Sequence, residues 1–301
     1  MAREILLPLT ENSILDTEAS PSSRFTPRML QIRKQYRRLL PEEAREKMYM
    51  ARHTVARFLE VIRSENRDCS VMSVTAFDVT GRFHIENTPG FVHTSRLGYE
   101  EEFMGEFMGA LKEDDVVFDV GAAQGIYSIF TGLKFPGISI VAFEPYGPYF
   151  KELEENVREN GLGNVVLKNV AVSNRCERRG LFNNGPSGVA PSARNINGKF
   201  KNMQETEFAT LDILVERGVV QAPDVIKIDT EGAESDILEG AKELLRERKI
   251  RDLFVEMHPT MIWDFETDPT TMWNKVLLNG YKIVSARMRG ETNILVHATR
   301  Y

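Results

Sequence analysis

The amino-acid sequence predicts an α/β fold whose main sheet is largely parallel and buried on both faces. The short apolar run Val116–Val120 is typical of such a strand. Gly121 and Gly125 follow it, and an apolar helical pattern begins at Ile126. Further apolar runs that end in an acidic residue lead to Glu144, Asp229 and Glu256. Because helical segments separate these runs, the pattern favours repeated strand–helix units.

Several elements are expected before this sheet. Apolar residues at helical spacing predict a helical hairpin over 26–64, interrupted at Pro41. The period then changes to that of strands, which are expected at 72–78, 82–86 and 91–95, with Thr80 and Gly81 as the first turn. A helix is expected over 99–111.

The remaining elements are expected in regular alternation. The predicted strands are 116–120, 138–143, 165–169, 224–228 and 252–257, with a closing antiparallel pair at 281–285 and 292–298. The predicted helices are 125–133, 148–160, 210–216, 234–247 and 272–279. A short strand is expected at 180–182. Residues 183–202 are rich in Asn, Gly, Ser and Pro, which predicts a long lid or substrate loop.

The glycine turn after the first sheet strand indicates the kind of ligand. Its spacing is G-x-x-x-G, not the G-x-G-x-x-G of dinucleotide binders. Asp119 stands just before the turn, where it would repel a pyrophosphate but attract a cation. S-adenosylmethionine carries an ammonium, a sulfonium and no phosphate, and Glu144 could accept its ribose hydroxyls. The alternative is an ordinary crossover whose glycine serves packing.

Five motifs in this order resemble those of the FkbM family of S-adenosylmethionine-dependent methyltransferases. They are Asp-Val-Gly-Ala-Ala-Gln-Gly from Asp119, Phe-Glu-Pro from Phe143, Asn-Val-Ala-Val-Ser from Asn169, Ile-Lys-Ile-Asp-Thr-Glu-Gly-Ala-Glu from Ile226 and Val-Glu-Met-His-Pro from Val255. The resemblance covers about two-thirds of the chain and implies a seven-stranded, Rossmann-like class I methyltransferase sheet. Ala123 departs from the family, which usually has Asn there.

The expected cofactor site lies beyond the carboxyl ends of the parallel strands, where open α/β sheets bind ligands. Asp119 and Gly121 should flank the methionine part of S-adenosylmethionine and Glu144 its ribose. The expected cofactor-binding residues are Asp119, Gly121, Ala122, Gly125, Glu144, Pro145, Asn169, Val170 and Ala171.

Asp229, Glu231 and His258 are the expected catalytic residues. A hydroxyl acceptor must lose a proton, and imidazole is suited to a general base near neutral pH. Asp229 or Glu231 could orient the hydroxyl or take its proton instead. Mg²⁺ held by Asp229 and Glu256 is an alternative that the spacing does not require. Glu234 is equally well explained as a helix-capping residue.

The composition suggests three regions in the 301 residues. Residues 1–68 form a basic helical extension, 69–97 a β-hairpin region covering the cleft, and 98–301 the methyltransferase domain. Between Arg24 and Arg67 there are 12 Lys/Arg and 5 Asp/Glu, which gives this segment a charge of +7. Because the net charge of the whole chain is −6, the remaining residues carry −13. No apolar run approaches the length of a membrane span, and a cytoplasmic location is expected.

The favoured function is methylation of a hydroxyl on a sugar, glycolipid or other small metabolite. The basic extension makes an RNA ribose 2′-O-methyltransferase the main alternative, and it could also join copies of the chain into a homo-oligomer. Two further alternatives are a non-catalytic assembly module and an NAD-dependent oxidoreductase, which the glycine spacing opposes. The sequence does not identify the methyl acceptor.

Overall fold

The computed structural model describes residues 71–84, 94, 97, 100–185, 191–195, 198–247, 249–290 and 292–300. The basic extension 1–68 lies outside these residues. The strands are β1 (Val71–Ala76), β2 (Val79–His84), β3 (Val116–Val120), β4 (Ser139–Phe143), β5 (Val165–Lys168), β6 (Ala171–Val172), β7 (Glu177–Asn183), β8 (Asn202–Ala209), β9 (Val225–Ile228), β10 (Asp252–Met257), β11 (Lys282–Arg289) and β12 (Asn293–Thr299). The α-helices are α1 (Glu101–Ala110), α2 (Ile126–Lys134), α3 (Gly147–Glu159), α4 (Leu211–Glu216), α5 (Glu234–Gly240), α6 (Lys242–Arg246) and α7 (Pro269–Leu278).

Seven strands form the main sheet in the order β11-β12-β10-β9-β3-β4-β5. Strands β10, β9, β3, β4 and β5 pair in parallel, whereas β12 is antiparallel to both of its neighbours. The expected seven-stranded α/β sheet with an antiparallel strand is therefore confirmed. The carboxyl ends of β3, β9 and β10 meet at the centre of one edge, so the residues that follow them are brought together.

The two faces of the sheet are covered by separate apolar layers. On one face, Phe103 and Phe107 of α1 pack edge-on against Phe254 of β10, with ring centroids 5.5 and 5.2 Å apart. Helices α2 and α3 and the β1–β2 hairpin complete this layer. The other layer is built from α4 to α7, with Ile237 of α5 and Met272 of α7 fully buried. Both faces of the central strands are therefore shielded from water, as their apolar sequences predict.

Three expectations about local structure are wrong. The first hairpin turns at Phe77 and Asp78, both with positive φ, rather than at Thr80 and Gly81. Positive φ at both turn residues suits a two-residue hairpin. The turn therefore forms at these two residues, although the sequence favours the position of Gly81. Residue 94 is the one described residue of the expected strand 91–95, and it is helical. The expected single helix over 234–247 is divided at Ala241 into α5 and α6.

The described residues between β7 and β8 form a loop, as expected for 183–202, but the strand that follows this loop was not predicted. Strand β8 begins at Asn202, pairs antiparallel with β7, and extends parallel to β6. This small sheet lies beside α3, where Gly147 N–H donates to Gln204 over 3.1 Å. No helix in the described part of the chain is both long and apolar enough to cross a membrane.

Candidate active site

The turn between β3 and α2 is pressed against the end of β9. Gly121 has a φ of +80°, and the N–H groups of Gly121 and Ala122 both donate to Phe143 O at 3.0 Å. A Cβ at position 121 would lie 1.9 Å from Asp229 O, a distance at which only glycine fits. Gly125, with a φ of +87°, leaves similar room for Leu153. The glycines therefore allow the cofactor turn and the strand carrying Asp229 to meet.

Glu144 supports this turn from the end of β4. Its carboxylate accepts hydrogen bonds from Ala123 N–H at 2.9 Å and from Tyr146 N–H at 2.8 Å. Only 5% of the residue is exposed. Burial raises the pKa of Glu144 to about 7, although the two N–H donors lower it. Asn169 donates from Nδ2 to Glu144 O at 2.8 Å, which ties the segment after β5 to the same corner.

A pocket that is partly open to solvent lies between this turn and the end of β9. It is lined by Leu97, Glu100, Gly121, Ala122, Ala123, Gln124, Ile126, Tyr127, Lys227 and Asp229. Asp119 lies at its base, 1% exposed, and Oδ2 accepts a hydrogen bond from Ser128 Oγ at 2.7 Å. Its other oxygen, Oδ1, makes no hydrogen bond to the described residues and lies 3.5 Å from Lys227 Nζ.

Three charged residues and a tyrosine from four parts of the chain form a network beside this pocket. Glu100, which precedes α1, accepts a hydrogen bond from Tyr127 Oη at 2.8 Å. Its other carboxylate oxygen lies 3.0 Å from Arg289 Nη2, at the end of β11. Arg289 also donates to Glu256, which follows the centre of β10. Burial raises the pKa of Glu100 to about 7, and the charge of Arg289 opposes that rise.

His258 stands at the centre of a group of carboxylates. Its Nδ1 lies 2.7 Å from Oε1 of Glu234. Its Nε2 lies 3.5 to 3.9 Å from one oxygen each of Glu256, Asp229 and Glu231. Burial lowers the pKa of His258, but the bond to Glu234 and the surrounding charges raise it overall to about 9. The imidazole therefore carries a proton at neutral pH.

Asp229 and Glu231 are the members of this group that face the solvent. Their side chains are 25% and 31% exposed, against 3% for His258. Burial raises the pKa of Glu231, and the charge of His258 opposes that rise. Glu231 has a positive φ of 54°, in the turn between β9 and α5. This arrangement can accept hydrogen bonds from a bound hydroxyl and take up a proton from it.

The structure brings some of the expected residues together and leaves others apart. Gly121, Ala122 and Asp229 line the pocket, and Glu231 and His258 lie beside Asp229. Glu144 is connected through one hydrogen bond to Ala123, whereas Gly125 contacts Leu153 rather than the pocket. The remaining expected residues lie further along the same edge and do not line this pocket: Pro145, Asn169, Val170 and Ala171.

The sequence analysis missed several charged or polar residues of this site: Glu100, Tyr127, Lys227 and Arg289. Lys227 did leave a signal, because it is a charged residue between Ile226 and Ile228 in a strand that is otherwise apolar. Such a residue needs a buried partner of opposite charge. Glu100 and Arg289 left none, since their contacts depend on chain segments that are distant in sequence.

Glu234 was expected to be either a helix cap or functional, and it is not a cap, because no side chain accepts a capping hydrogen bond at the N-terminus of α5. It is fully buried, accepts a hydrogen bond from Gly232 N–H at 3.0 Å and pairs with His258.

Asp229, Glu256 and His258 are also close enough to be considered as metal ligands. One potential ligand atom from each lies within 4.8 Å of the others. Both oxygens of Glu256 already accept hydrogen bonds, from Arg289 and from Asn293 Nδ2. A cation could therefore bind Glu256 only in addition to these donors or by replacing one of them.

The site fits the cationic, phosphate-free cofactor that the sequence predicts. The pocket is shaped by a glycine turn, and Asp119 Oδ1 below it is a buried acceptor without a hydrogen-bond donor among the described residues. A seven-stranded sheet of this order, with this turn and acidic residues at the strand ends, defines a class I S-adenosylmethionine-dependent methyltransferase.

Comparison with known proteins identifies the family. The family model described as the methyltransferase FkbM domain matches residues 119–283. The chain belongs to the FkbM methyltransferase family and is an S-adenosylmethionine-dependent methyltransferase, as the motifs predicted.

Two curated relatives and one solved structure illustrate the similarity. Hexuronic acid methyltransferase AglP of Haloferax volcanii is 28% identical over 181 residues, which cover 59% of this chain and 70% of the relative. The 31-O-demethyl-FK506 methyltransferase FkbM of Streptomyces tacrolimicus is 28% identical over 176 residues, 49% of this chain and 67% of the relative. The structure of methyltransferase FkbM from Methylobacillus flagellatus KT has a TM-score of 0.44 and 18% identity, with 69% of this chain and 53% of that chain covered.

Proposed function

We propose that this protein transfers the methyl group of S-adenosylmethionine to a hydroxyl oxygen of a sugar, glycolipid or other small metabolite. The observation that carries the proposal is the position of Asp229, which lines the pocket and lies beside Glu231 and His258. The curated relatives support it, since one is named for a hexuronic acid and the other for 31-O-demethyl-FK506.

The cofactor is proposed to occupy the pocket beside Gly121 and to extend along the strand edge towards Glu144. S-adenosylmethionine supplies an electrophilic methyl group on a positively charged sulfur. Asp119 and Asp229 provide negative charge at the end of the pocket where Lys227 also lies. Glu144 keeps lone pairs for ribose hydroxyls, and Asn169, Val170 and Ala171 are proposed to lie near the adenine.

The acceptor is proposed to bind over Asp229 and Glu231. A carboxylate there can accept the hydrogen bond of a hydroxyl and then its proton as the new bond to oxygen forms. His258 is proposed to hold a proton between Glu234 and these carboxylates, since the surrounding negative charges raise its pKa to about 9. In that role it fixes the two carboxylates in position, and the general base is Asp229 or Glu231.

Mg²⁺ at Asp229, Glu256 and His258 is a second proposal for the same residues, supported by their spacing alone. Calorimetric titration of the protein with MgCl₂ tests it directly. Saturable binding that is lost in Asp229→Asn supports a cation site. Heats equal to those of dilution, together with full activity in EDTA, would reject it.

The proposed function is tested in two steps. Calorimetry should detect binding of S-adenosylmethionine and S-adenosylhomocysteine to the purified chain. Metabolite extracts and defined sugars are then incubated with cofactor labelled in its methyl group. Label in a product that withstands mild alkali excludes a methyl ester, and mass spectrometry that places this label on oxygen identifies a methyl ether and supports the proposal. Label that alkali releases as methanol indicates a methyl ester and would exclude a hydroxyl acceptor.

A further inference from the structure

Lys227 is a buried cation between Asp229, which lines the pocket, and Asp119, which precedes the glycine turn. It occupies the centre of β9 and is 5% exposed. Its Nζ lies 3.5 Å from Asp119 Oδ1 and 3.6 Å from Asp229 Oδ2. The same ammonium lies 4.9 Å from the centroid of the Tyr127 ring, and Lys227 itself lines the pocket.

The register of the sheet explains this placement. Lys227 pairs with Asp119 of the neighbouring strand β3, so both side chains project from the same face. Asp229 follows two residues later, immediately after β9, and therefore points to that face as well. Burial lowers the pKa of Lys227, but the charges of Asp229 and Asp119 raise it overall, so the ammonium stays charged.

Two other cations near the pocket have carboxylate partners of their own. The protonated ring of His258 bonds to Glu234 at 2.7 Å and lies 3.8 Å from Asp229. Arg289 contacts Glu100 at 3.0 Å and also donates to Glu256. Lys227 differs from both because it lies within 4 Å of Asp119 as well as of Asp229. Asp119 Oδ1 has no hydrogen-bond donor among the described residues that could replace it.

We propose that Lys227 is a positioning residue that holds Asp119 and Asp229 in place and offsets their charge, so that the pocket does not bind the positive sulfur of S-adenosylmethionine too strongly. This inference rests on the proposed location of the cofactor in this pocket. Sulfur is positive in S-adenosylmethionine and neutral in S-adenosylhomocysteine. Interactions that stabilise the charged ground state more than the transition state slow a reaction, because only differential binding accelerates it.

The two ligands provide a measurement of this charge effect that needs no acceptor. They differ by one methyl group and one positive charge. Calorimetry gives a Kd for each, and the ratio Kd(homocysteine form)/Kd(methionine form) reports how strongly the pocket favours the charge. In Lys227→Met the ratio should rise about ten-fold, as expected for loss of one charge a few ångströms away in a partly buried site. Lys227→Arg keeps the charge and should keep the ratio.

Arg251→Met is the matched structural control. Arg251 also bridges two carboxylates, Asp115 and Asp252, each at 2.7 Å, but at the opposite end of the strands. Its loss should lower the melting temperature and leave the ratio unchanged. Asp229→Asn removes negative charge from the pocket, so its ratio should move in the opposite direction from that of Lys227→Met.

A second pair of variants covers the case in which Lys227→Met does not fold. Asp119→Asn removes one of the two negative charges that Lys227→Met would leave without their cation. It is compared with the double variant Lys227→Met/Asp119→Asn. The ratio of the two Kd values should be about ten-fold higher in the double variant than in Asp119→Asn.

Equal weakening of both ligands in the Lys227 variants, or a fall in the ratio, would overturn the proposal and leave Lys227 a purely structural residue. Failure of the unmodified protein to bind either ligand would instead overturn the proposed function.

Discussion

Glu234 and His258 form a fully buried pair, with Oε1 of Glu234 2.7 Å from Nδ1 of His258. Glu234 begins α5 and His258 follows β10, so the pair connects the two chain segments that border the acceptor side of the pocket. The opposite ring nitrogen of His258 faces Asp229, Glu231 and Glu256. The orientation of the proposed catalytic carboxylates therefore depends on a pair that is itself out of reach of the substrate.

The first prediction concerns stability and pH in the absence of metal. His258 has a folded-state pKa raised to about 9, above its ordinary value of 6.5. The contribution of His258 to the free energy of unfolding should be complete below about pH 6.5 and should be lost as pH rises through about 9. Glu234→Gln should remove much of this dependence and cost about 3–5 kcal/mol at pH 6, because it leaves a buried charge without its partner. Urea unfolding in EDTA from pH 6 to 10 measures the pH dependence of stability and the loss of stability at pH 6. Parallel pH curves for the unmodified protein and Glu234→Gln would contradict the prediction.

The second prediction concerns the proposed proton acceptor. Asp229→Asn should reduce kcat by about 10²–10⁴-fold, the usual contribution of a positioned acid or base. Asp224→Asn is the control at the other end of β9, where Asp224 accepts a hydrogen bond from Val116 N–H at 2.8 Å. That variant should change stability more than kcat. Equal kcat losses in the two variants would show that Asp229 has no special part in catalysis.

The third prediction concerns the glycine turn. Gly121→Ala places a Cβ 1.9 Å from Asp229 O in a residue with a φ of +80°. The strained backbone should cost about 1–3 kcal/mol and displace Asp229 from the pocket, so cofactor binding should be lost. Gly109→Ala is the control, since a Cβ there meets nothing within 4 Å and the residue lies in helix α1. It should stabilise the protein by about 0.5–1 kcal/mol. Thermal melts with and without S-adenosylhomocysteine distinguish the two effects.

The fourth prediction concerns the pH dependence of cofactor binding. Burial raises the pKa of Glu144 to about 7, and a carboxylate accepts ribose hydroxyls better than a carboxylic acid does. Affinity for S-adenosylhomocysteine should therefore increase between pH 6 and pH 8. Glu144→Gln should weaken binding and flatten this curve, apart from the share due to Glu100, whose pKa is also about 7. Calorimetry at several pH values gives the curve, and an unchanged slope in the variant would assign the effect to Glu100.

The main sheet could be predicted from sequence because its strands are short apolar runs buried on both faces. Val116–Val120 and Asp252–Met257 were predicted to the residue for this reason. Strand β8 was missed because its outward positions are polar and exposed, as in Glu205 and Glu207, and the segment before it is rich in turn-forming residues. The division of the helix at Ala241 depends on tertiary packing, since a Cβ on the preceding Gly240 would meet Ser173 O at 2.0 Å.

Residues of the candidate site could be predicted where they lie at the carboxyl end of a parallel strand, as Asp119, Glu144 and Asp229 do. The partners of these residues were not predictable, because pairs such as Glu100 with Arg289 are separated by most of the domain and their register is set by the folded sheet. The pKa of His258 likewise depends on Glu234, Asp229 and Glu231, which belong to the segment after β9 and not to the strand that precedes His258.

Arg289 neutralises Glu100 and Glu256, and it comes after both of them in the chain. During synthesis the ribosome adds residue 289 long after Glu100 and Glu256, so the nascent chain carries two acidic residues that lack their shared cation. The last hairpin must dock before these charges are neutralised. The pocket therefore reaches its final charge balance only after β11 has docked, even though most of the sheet precedes β11 in the chain.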